Sequence, residues 1–176
     1  MTILVIGPSG VGKSDYGEHA AKGIPRCQFF DLDDLVSKSA GVPASHLLGR
    51  GADTFLASCH NEVNNILRVS TRRIALVAVG AGALESSRAG VWLSGHPDPT
   101  IAVVASAEEV YKRRWEINHT GTLQQFKEKE YSAYRLGLYN GTKYRCDVTG
   151  LSLDKARANF MCKINEILRD GLGGEI

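Results

Sequence analysis

The octapeptide GPSGVGKS, residues 7–14, constrains the fold of this 176-residue chain more than any other feature. It matches the pattern GxxxxGK[ST] in full, and it lies between an apolar run at Thr2–Ile6 and a helix predicted from Lys13 to about Lys22. Glycines let backbone N–H groups turn toward phosphate oxygens, and the helix presents its positive N-terminus to them. The sequence therefore predicts a phosphate site for ATP or another nucleoside triphosphate.

The residues of this loop divide the task of holding a triphosphate. We expect Lys13 to reach the β- and γ-phosphates and to act in catalysis, and the hydroxyl of Ser14 to ligate Mg²⁺. The other predicted nucleotide contacts in the loop are at Gly7, Ser9, Gly10, Val11 and Gly12. Arg113 and Arg114, in a later predicted helix, are candidates for contacting the base or the phosphates. The predicted cofactors are ATP and Mg²⁺.

The stretch FFDLDDLV places three carboxylates directly after the second predicted strand, Cys27–Asp31. In a phosphate cleft one carboxylate can hold Mg²⁺ through water, and a second can orient or deprotonate an acceptor hydroxyl. Aspartates at a helix start can also simply cap free N–H groups. We predict a functional role for Asp31 or Asp33, and a solvent-facing or capping role for Asp34.

Apolar runs that alternate with helical segments predict five strands. These strands are Thr2–Ile6, Cys27–Asp31, Arg73–Val79, Ile101–Ala105 and Cys146–Val148. The main predicted helices after the first are Asp31–Ser39, Asp53–Val69, Glu85–Leu93, Ala107–Glu116, Leu123–Tyr139 and one capped by Ser152 that runs to about Arg169. This alternation favours an α/β fold with a parallel sheet covered on both faces. Segments 7–14, 31–34 and 80–82 follow predicted strands, and we expect them to share one cleft.

Composition narrows the partners and the setting. The net charge is only +2, and the arginine pairs are isolated, so the sequence does not predict a nucleic-acid partner. The four cysteines are far apart in the sequence, which favours reduced thiols over a disulfide framework or a zinc site. No targeting or membrane-spanning pattern is visible. We expect one cytoplasmic domain over 1–176, as a monomer or a dimer.

Together these motifs resemble the shikimate kinase family, which has the nucleoside monophosphate kinase-like P-loop fold. The resemblance runs from residue 2 to about 168 and rests on the loop, Asp31-Leu32-Asp33, Gly51-x-x-x-Phe55, Val79-Gly80-Ala81-Gly82-Ala83 and Arg135-x-x-x-Tyr139. It implies a three-layer α/β/α P-loop fold with a five-stranded parallel sheet. It also implies a lid near 116–123 and substrate-binding helices over about 32–69.

The resemblance also implies roles for individual residues. It assigns Asp31 to Mg²⁺, together with Ser14, and Asp33 to the hydroxyl of a small-molecule acceptor. It assigns the segment Gly80, Ala81 and Gly82 to close approach of the substrate, and Arg135 to a substrate carboxylate. The implied activity is ATP- and Mg²⁺-dependent phosphoryl transfer to that hydroxyl.

Four departures from the family pattern favour an altered acceptor. Leu56 stands where the family has an arginine, Cys59 where it has a glutamate, and Ala81 where it has the central glycine. No Arg-Pro pair occurs in the predicted lid, 116–123. We expect a cyclitol, sugar acid or related polyol as acceptor. Two alternatives stay open, namely a nucleotide-binding regulatory protein with weak or no turnover and a nucleotide kinase of the same fold.

Overall fold

A computed structural model describes residues 1–69, 74–118 and 121–171, and within these ranges it contains one all-parallel sheet of five strands. The strands are β1 (Thr2–Ile6), β2 (Cys27–Asp31), β3 (Ile74–Ala78), β4 (Thr100–Val104) and β5 (Tyr144–Asp147). Their order is β2-β3-β1-β4-β5. Val5 of the central strand is in register with Ala78 on one side and with Ile101 on the other. The predicted five-stranded parallel sheet is confirmed.

Helices cover both faces of the sheet. They are α1 (Lys13–Gly23), α2 (Leu32–Ala40), α3 (Ala44–Leu48), α4 (Ala52–Val69), α5 (Ala89–Gly95), α6 (Ala107–Asn118), α7 (Leu123–Glu130), α8 (Ala133–Asn140) and α9 (Leu153–Gly171), with a short 3₁₀ helix at Ala81–Glu85. Side chains of β1 alternate between two cores, because successive residues of a strand point to opposite faces. Ile3 and Val5 pack in one core with α1 and α9, and Leu4 and Ile6 pack in the other with α2 and α4. The three-layer arrangement is thereby confirmed.

The predicted helix Leu123–Tyr139 is wrong as a single element. It is divided at Tyr131 and Ser132 into α7 and α8. The hydroxyl of Ser132 accepts a hydrogen bond from the backbone N–H of Arg135 at 3.4 Å, and serine is a preferred residue at a helix start. The hydroxyl of Tyr131 donates to the carbonyl oxygen of Ala105 at 2.9 Å, which ties the break to the end of β4.

Other boundaries also differ from the predictions. The predicted short helix Glu85–Leu93 is present as α5, but it begins later, at Ala89, and extends to Gly95, and Glu85 belongs to the preceding 3₁₀ helix. The predicted loop 117–121 is helical to Asn118 at its start. The predicted strand start at Arg73 and part of the predicted lid lie outside the described residues. None of the four cysteines is disulfide-bonded, and no described helix is long and apolar enough to cross a membrane.

Candidate functional site

The loop between β1 and α1 has the backbone that the glycine-rich motif predicts. Gly10 and Gly12 have φ angles of 86° and 109°, a left-handed region that favours glycine. A Cβ atom at Gly12 would lie only 2.7 Å from the ring of Tyr16, so side-chain space is closed as well. Helix α1 follows directly at Lys13. The loop and the helix N-terminus therefore fit a phosphate group.

Lys13 is held inside this loop. Its ammonium donates to the carbonyl oxygens of Gly7 and Pro8 at 2.9 and 3.0 Å. Burial lowers the pKa of Lys13 to about 8, against the opposing effect of nearby carboxylates, foremost Glu130 and Asp33. Burial thus disfavours the charged form of Lys13, and phosphate oxygens bound beside the ammonium would stabilise that form.

Ser14 and Asp31, the two predicted metal ligands, are in contact. The Ser14 hydroxyl donates to Oδ2 of Asp31 at 2.8 Å. The other carboxylate oxygen, Oδ1, accepts from the backbone N–H of Asp33 at 3.1 Å and caps α2. Asp31 rather than Asp34 is therefore the capping residue, and Asp34 is exposed. A hydroxyl and a carboxylate side by side fit Mg²⁺, which prefers oxygen ligands and keeps waters and substrate phosphates among them.

Asp33 lies against the glycine segment that follows β3. Its carboxylate contacts Gly80 where a Cβ atom would otherwise be. Its Oδ1 atom is buried and has no hydrogen-bond partner among the residues that the structure describes. Burial, and then the charge of Asp31, raises the pKa of Asp33, while Lys13 lowers it. A buried carboxylate oxygen without a partner is an unsatisfied acceptor, and such an atom calls for an explanation such as a ligand that supplies the missing hydrogen bond.

Arg135 reaches the same segment from α8, but its guanidinium is already engaged. Its Nη2 donates to the carbonyl oxygen of Ala81 at 3.0 Å and lies 3.5 Å from Glu85. Its Nη1 donates to Glu130 at 2.5 Å, and only 3% of the side chain is exposed. The structure thus brings Arg135 to the predicted substrate segment, whereas its binding of a substrate carboxylate stays a prediction. Gly82 packs closely against Leu48 and Phe55.

Glu130 is the residue at this site that sequence reasoning missed. Its side chain is 2% exposed, and its Oε2 atom accepts from the backbone N–H of Ser9 at 3.0 Å as well as from Arg135. Its Oε1 atom lies 3.9 Å from Arg114. In the sequence Glu130 is one of several charged residues in an apparently continuous helix. Because the helix breaks at Tyr131 and Ser132, α7 ends beside the phosphate loop. The capping serine Ser132 is the only sequence signal of this break that we identify, and it is a weak one.

The two arginines of α6 differ in position. The Cβ atom of Arg114 lies 3.5 Å from the place of a Cβ on Gly10, so Arg114 lies beside the loop. Arg113 donates instead to Glu109 at 2.6 Å, one turn earlier in α6. Nucleotide binding by Arg113 and Arg114 stays a prediction. The geometry favours Arg114 over Arg113 for that role.

The sheet order, the glycine-rich loop after β1 and the acidic pair after β2 define a class of protein. It is the class of P-loop α/β proteins with the nucleoside monophosphate kinase-like fold. Their ligands bind at the carboxyl ends of the strands, and Lys13, Asp31, Asp33 and Gly80 all lie at that edge.

Comparison with known proteins narrows this class to a family. Residues 9–164 match the family described as shikimate kinase. The chain belongs to the shikimate kinase family. A search of curated protein sequences finds no match.

Solved structures show the same fold at low sequence identity. Shikimate kinase from Bacteroides thetaiotaomicron is 18% identical with a TM-score of 0.71, covering 96% of this chain and 98% of that one. Shikimate kinase from Acinetobacter baumannii, solved in complex with shikimate, is 19% identical with a TM-score of 0.68, covering 99% and 94%. A gluconokinase from Sinorhizobium meliloti 1021 is 18% identical with a TM-score of 0.63, covering 99% and 97%. At these identities the likeness is one of fold.

Proposed function

We propose that this chain, as a single domain over residues 1–176, transfers the γ-phosphoryl group of ATP to a hydroxyl of a small metabolite in a Mg²⁺-dependent reaction. The observation that carries the proposal is the convergence of three groups at one edge of the sheet. These groups are the loop lysine Lys13, the hydrogen-bonded pair Ser14–Asp31, and the unpartnered carboxylate oxygen of Asp33. Membership of the shikimate kinase family supports the same reaction class.

The nucleotide half of the site is formed by the loop. Backbone N–H groups between Gly7 and Gly12 would surround the phosphates, and Lys13 would exchange its two carbonyl partners for phosphate oxygens. Ser14 and Asp31 would hold Mg²⁺, which supplies charge neutralisation of the phosphates when bound. Arg114 lies beside Gly10 and could add a further positive charge.

The acceptor half is formed by Asp33 and the segment after β3. Asp33 would accept a hydrogen bond from the acceptor hydroxyl and take up its proton as the oxygen bonds to the γ-phosphorus. The bond from that phosphorus to the oxygen bridging the β- and γ-phosphates breaks, and ADP leaves. The proton then passes from Asp33 to solvent. Most of the rate acceleration would come from holding the two reactants in line and stabilising charge.

The acceptor is a small polyhydroxylated compound, and a cyclitol, a sugar acid and a related polyol are the candidates. Proteins of this fold include a shikimate kinase solved with shikimate and a gluconokinase, and both names point to hydroxylated acceptors of this size. Leu56 and Cys59, where the family has charged residues, lie buried in an apolar core. An altered pocket is therefore consistent with an acceptor other than shikimate.

The test is release of ADP from Mg·ATP with a panel of shikimate, cyclitols, sugar acids, polyols and nucleoside monophosphates. One acceptor is expected to stimulate release, and Lys13→Ala and Asp33→Asn are expected to lose the stimulation. Asp34→Asn is the matched control, because it removes an exposed carboxylate next to Asp33 and should keep the activity. Stimulation that survives in Asp33→Asn would contradict the role of Asp33. Stimulation by nucleoside monophosphates alone would indicate a nucleotide kinase instead.

One observation favours a second candidate, a nucleotide-binding protein without turnover. Glu130 is hydrogen-bonded to the N–H of Ser9 in the phosphate loop, and a carboxylate there opposes the approach of phosphate. Tight binding of Mg·ATP with no acceptor-stimulated release of ADP from any compound of the panel would support this candidate and contradict the first.

A further inference from the structure

We infer that Glu130 determines the specificity of the acceptor site, and that it disfavours carboxylate-bearing acceptors relative to neutral or cationic ones. The inference rests on the proposed function, because it concerns the acceptor half of the same cleft. It selects, among the proposed acceptors, those without an acidic group.

Both terminal nitrogens of Arg135 are already engaged by groups of the chain. Its two terminal nitrogens donate to Glu130 and to the carbonyl oxygen of Ala81, and Glu85 lies 3.5 Å away. The side chain is 3% exposed. An acidic acceptor would have to break a buried, charge-assisted hydrogen bond and deprive Glu130 of its nearest cation, which is unfavourable for a buried carboxylate.

Glu130 is held in place from two sides. It is held on one side by Arg135 and on the other by the backbone N–H of Ser9 in the phosphate loop. These contacts connect α7 to the loop, and through Arg135 to Ala81 in the segment after β3. The carboxylate is therefore fixed between the phosphate loop and the segment after β3.

Most of the charged groups around Lys13 are carboxylates. The charges near Lys13 include the carboxylates of Glu130, Asp33 and Asp31 and the guanidinium of Arg135. Arg135 is hydrogen-bonded to Glu130, Arg114 lies 3.9 Å from the same carboxylate, and Lys13 donates to two carbonyl oxygens of the phosphate loop. An incoming carboxylate would therefore meet Asp33 and Glu130 while these cations are already engaged. A hydroxyl or ammonium group meets no such repulsion.

The face of α4 on which the family pattern has an arginine is apolar in this chain. Leu56 stands where the family pattern has an arginine, and it is 6% exposed within an apolar core. Cys59, one turn further along α4, is fully buried in the same core. This face of α4 therefore presents apolar groups that cannot hold a carboxylate.

The test uses three probes with one six-carbon polyol skeleton that differ in a single group. Gluconate carries a carboxylate, glucitol a neutral hydroxymethyl, and 1-amino-1-deoxyglucitol an ammonium. Their affinities for the full chain in the presence of Mg·ADP are measured by calorimetry. The wild type should bind gluconate at least about tenfold more weakly than glucitol, and Glu130→Gln should raise the affinity for gluconate about tenfold or more. The affinity for glucitol should change less than about threefold.

Two further variants make the result specific. Glu128→Gln removes an exposed carboxylate from the same helix and should leave the order of the probes unchanged. The double variant Glu130→Gln/Arg135→Gln removes both charges of the pair. It should fold, as monitored by circular dichroism, and should show no gain for gluconate. If Glu130→Gln alone fails to fold, the inference is tested by the wild type, in which gluconate should bind more weakly than glucitol.

Gluconate binding in the wild type as tight as that of glucitol would overturn the inference. So would the lack of any gain for gluconate in folded Glu130→Gln. These are binding measurements, whereas failure of the proposed function would appear as the absence of acceptor-stimulated ADP release. The two failures are therefore distinguishable.

Discussion

The carboxylate of Asp33 occupies the space in which a Cβ atom of residue 80 would stand. Gly80 itself has an ordinary backbone, with a φ of −60°, so this position requires glycine for space and not for conformation. The contact joins the acidic segment after β2 to the glycine segment after β3 at the carboxyl edge of neighbouring strands. It thereby fixes the orientation of the carboxylate that we propose as the acceptor's hydrogen-bond partner.

Replacement of Gly80 by alanine should therefore displace Asp33. We expect Gly80→Ala to lower acceptor-stimulated ADP release by about 10²-fold, because a shift of about 1 Å at a reacting group has this effect. Gly137→Ala is the control, since no neighbouring atom of the described residues lies within 4 Å of a Cβ at that helical position. The control should keep full activity and gain up to about 1 kcal/mol in stability. Equal activity in Gly80→Ala and wild type would contradict the steric argument.

Asp33→Asn should stabilise the fold while it lowers activity. Burial raises the pKa of Asp33 in the folded chain, so the ionised form is penalised at pH values above that pKa. We expect a gain of about 1 kcal/mol at pH 7.5, or about 2–4 °C in Tm, and a loss of about 10²–10⁴-fold in turnover. The gain should disappear as the pH falls through the folded pKa toward the unfolded one, because both states then bind the proton. Thermal melts at pH 7.5 and pH 4 check this, and a lower Tm of the variant at pH 7.5 would contradict it.

Nucleotide binding should take up protons through Lys13. The pKa of Lys13 is lowered by burial to about 8, and phosphate oxygens beside the ammonium would raise it again. Binding of Mg·ADP at pH 8 should therefore take up about half a proton, falling toward zero near pH 6.5. Calorimetry in buffers of different ionisation enthalpy measures the uptake.

Lys13→Gln is the control for this proton uptake, and it should bind Mg·ADP without it. The same pKa also predicts a pH dependence of the free energy of unfolding. Below pH 8 the ammonium is charged in both states, and its burial destabilises the fold. Between pH 8 and about 10.5 the folded lysine is neutral, so the free energy of unfolding rises with pH in that range. Proton uptake that persists in Lys13→Gln would assign the effect to another group.

Metal dependence should reside in the Ser14–Asp31 pair. Asp31→Asn and Ser14→Ala should each raise the Mg²⁺ concentration needed for half-maximal ATP binding by about tenfold or more. Asparagine keeps the cap on α2, so Asp31→Asn should stay close to wild type in stability, whereas Asp31→Ala should lose about 1 kcal/mol. Titration of Mg²⁺ by fluorescent nucleotide binding, together with thermal melts, separates the two roles. An unchanged Mg²⁺ requirement in both Ser14→Ala and Asp31→Asn would contradict the metal assignment.

The fold was predictable because local pattern and global topology agree in most of the chain. The apolar runs of β1, β3 and β4 are buried strands with clear ends, and the loop motif ties β1 to α1. The contacts Ser14–Asp31 and Asp33–Gly80 also follow from the rule that strand ends meet at one edge. The sheet, the phosphate loop and these two contacts were therefore predictable from the sequence.

Glu130 and the engagement of Arg135 were not predictable by this route. Residues 123–139 have a helical pattern throughout, and the helix break depends on a Ser132 cap and on a tertiary bond from Tyr131 to Ala105. Without the break, neither the position of Glu130 at the loop nor its pairing with Arg135 follows. The arginine that the family pattern assigns to substrate binding is, in this chain, engaged by Glu130 of the preceding helix and by Ala81 and Glu85 after β3.

Phosphoryl transfer to a hydroxyl can be observed directly by ³¹P NMR of Mg·ATP incubated with the protein and each polyhydroxylated acceptor. We predict a new phosphate-ester resonance with one acceptor class, formed in a one-to-one ratio with ADP and absent with Asp33→Asn. If ATP binds but no phosphate ester forms with any acceptor, including compounds of a cell extract, the phosphoryl-transfer account is contradicted.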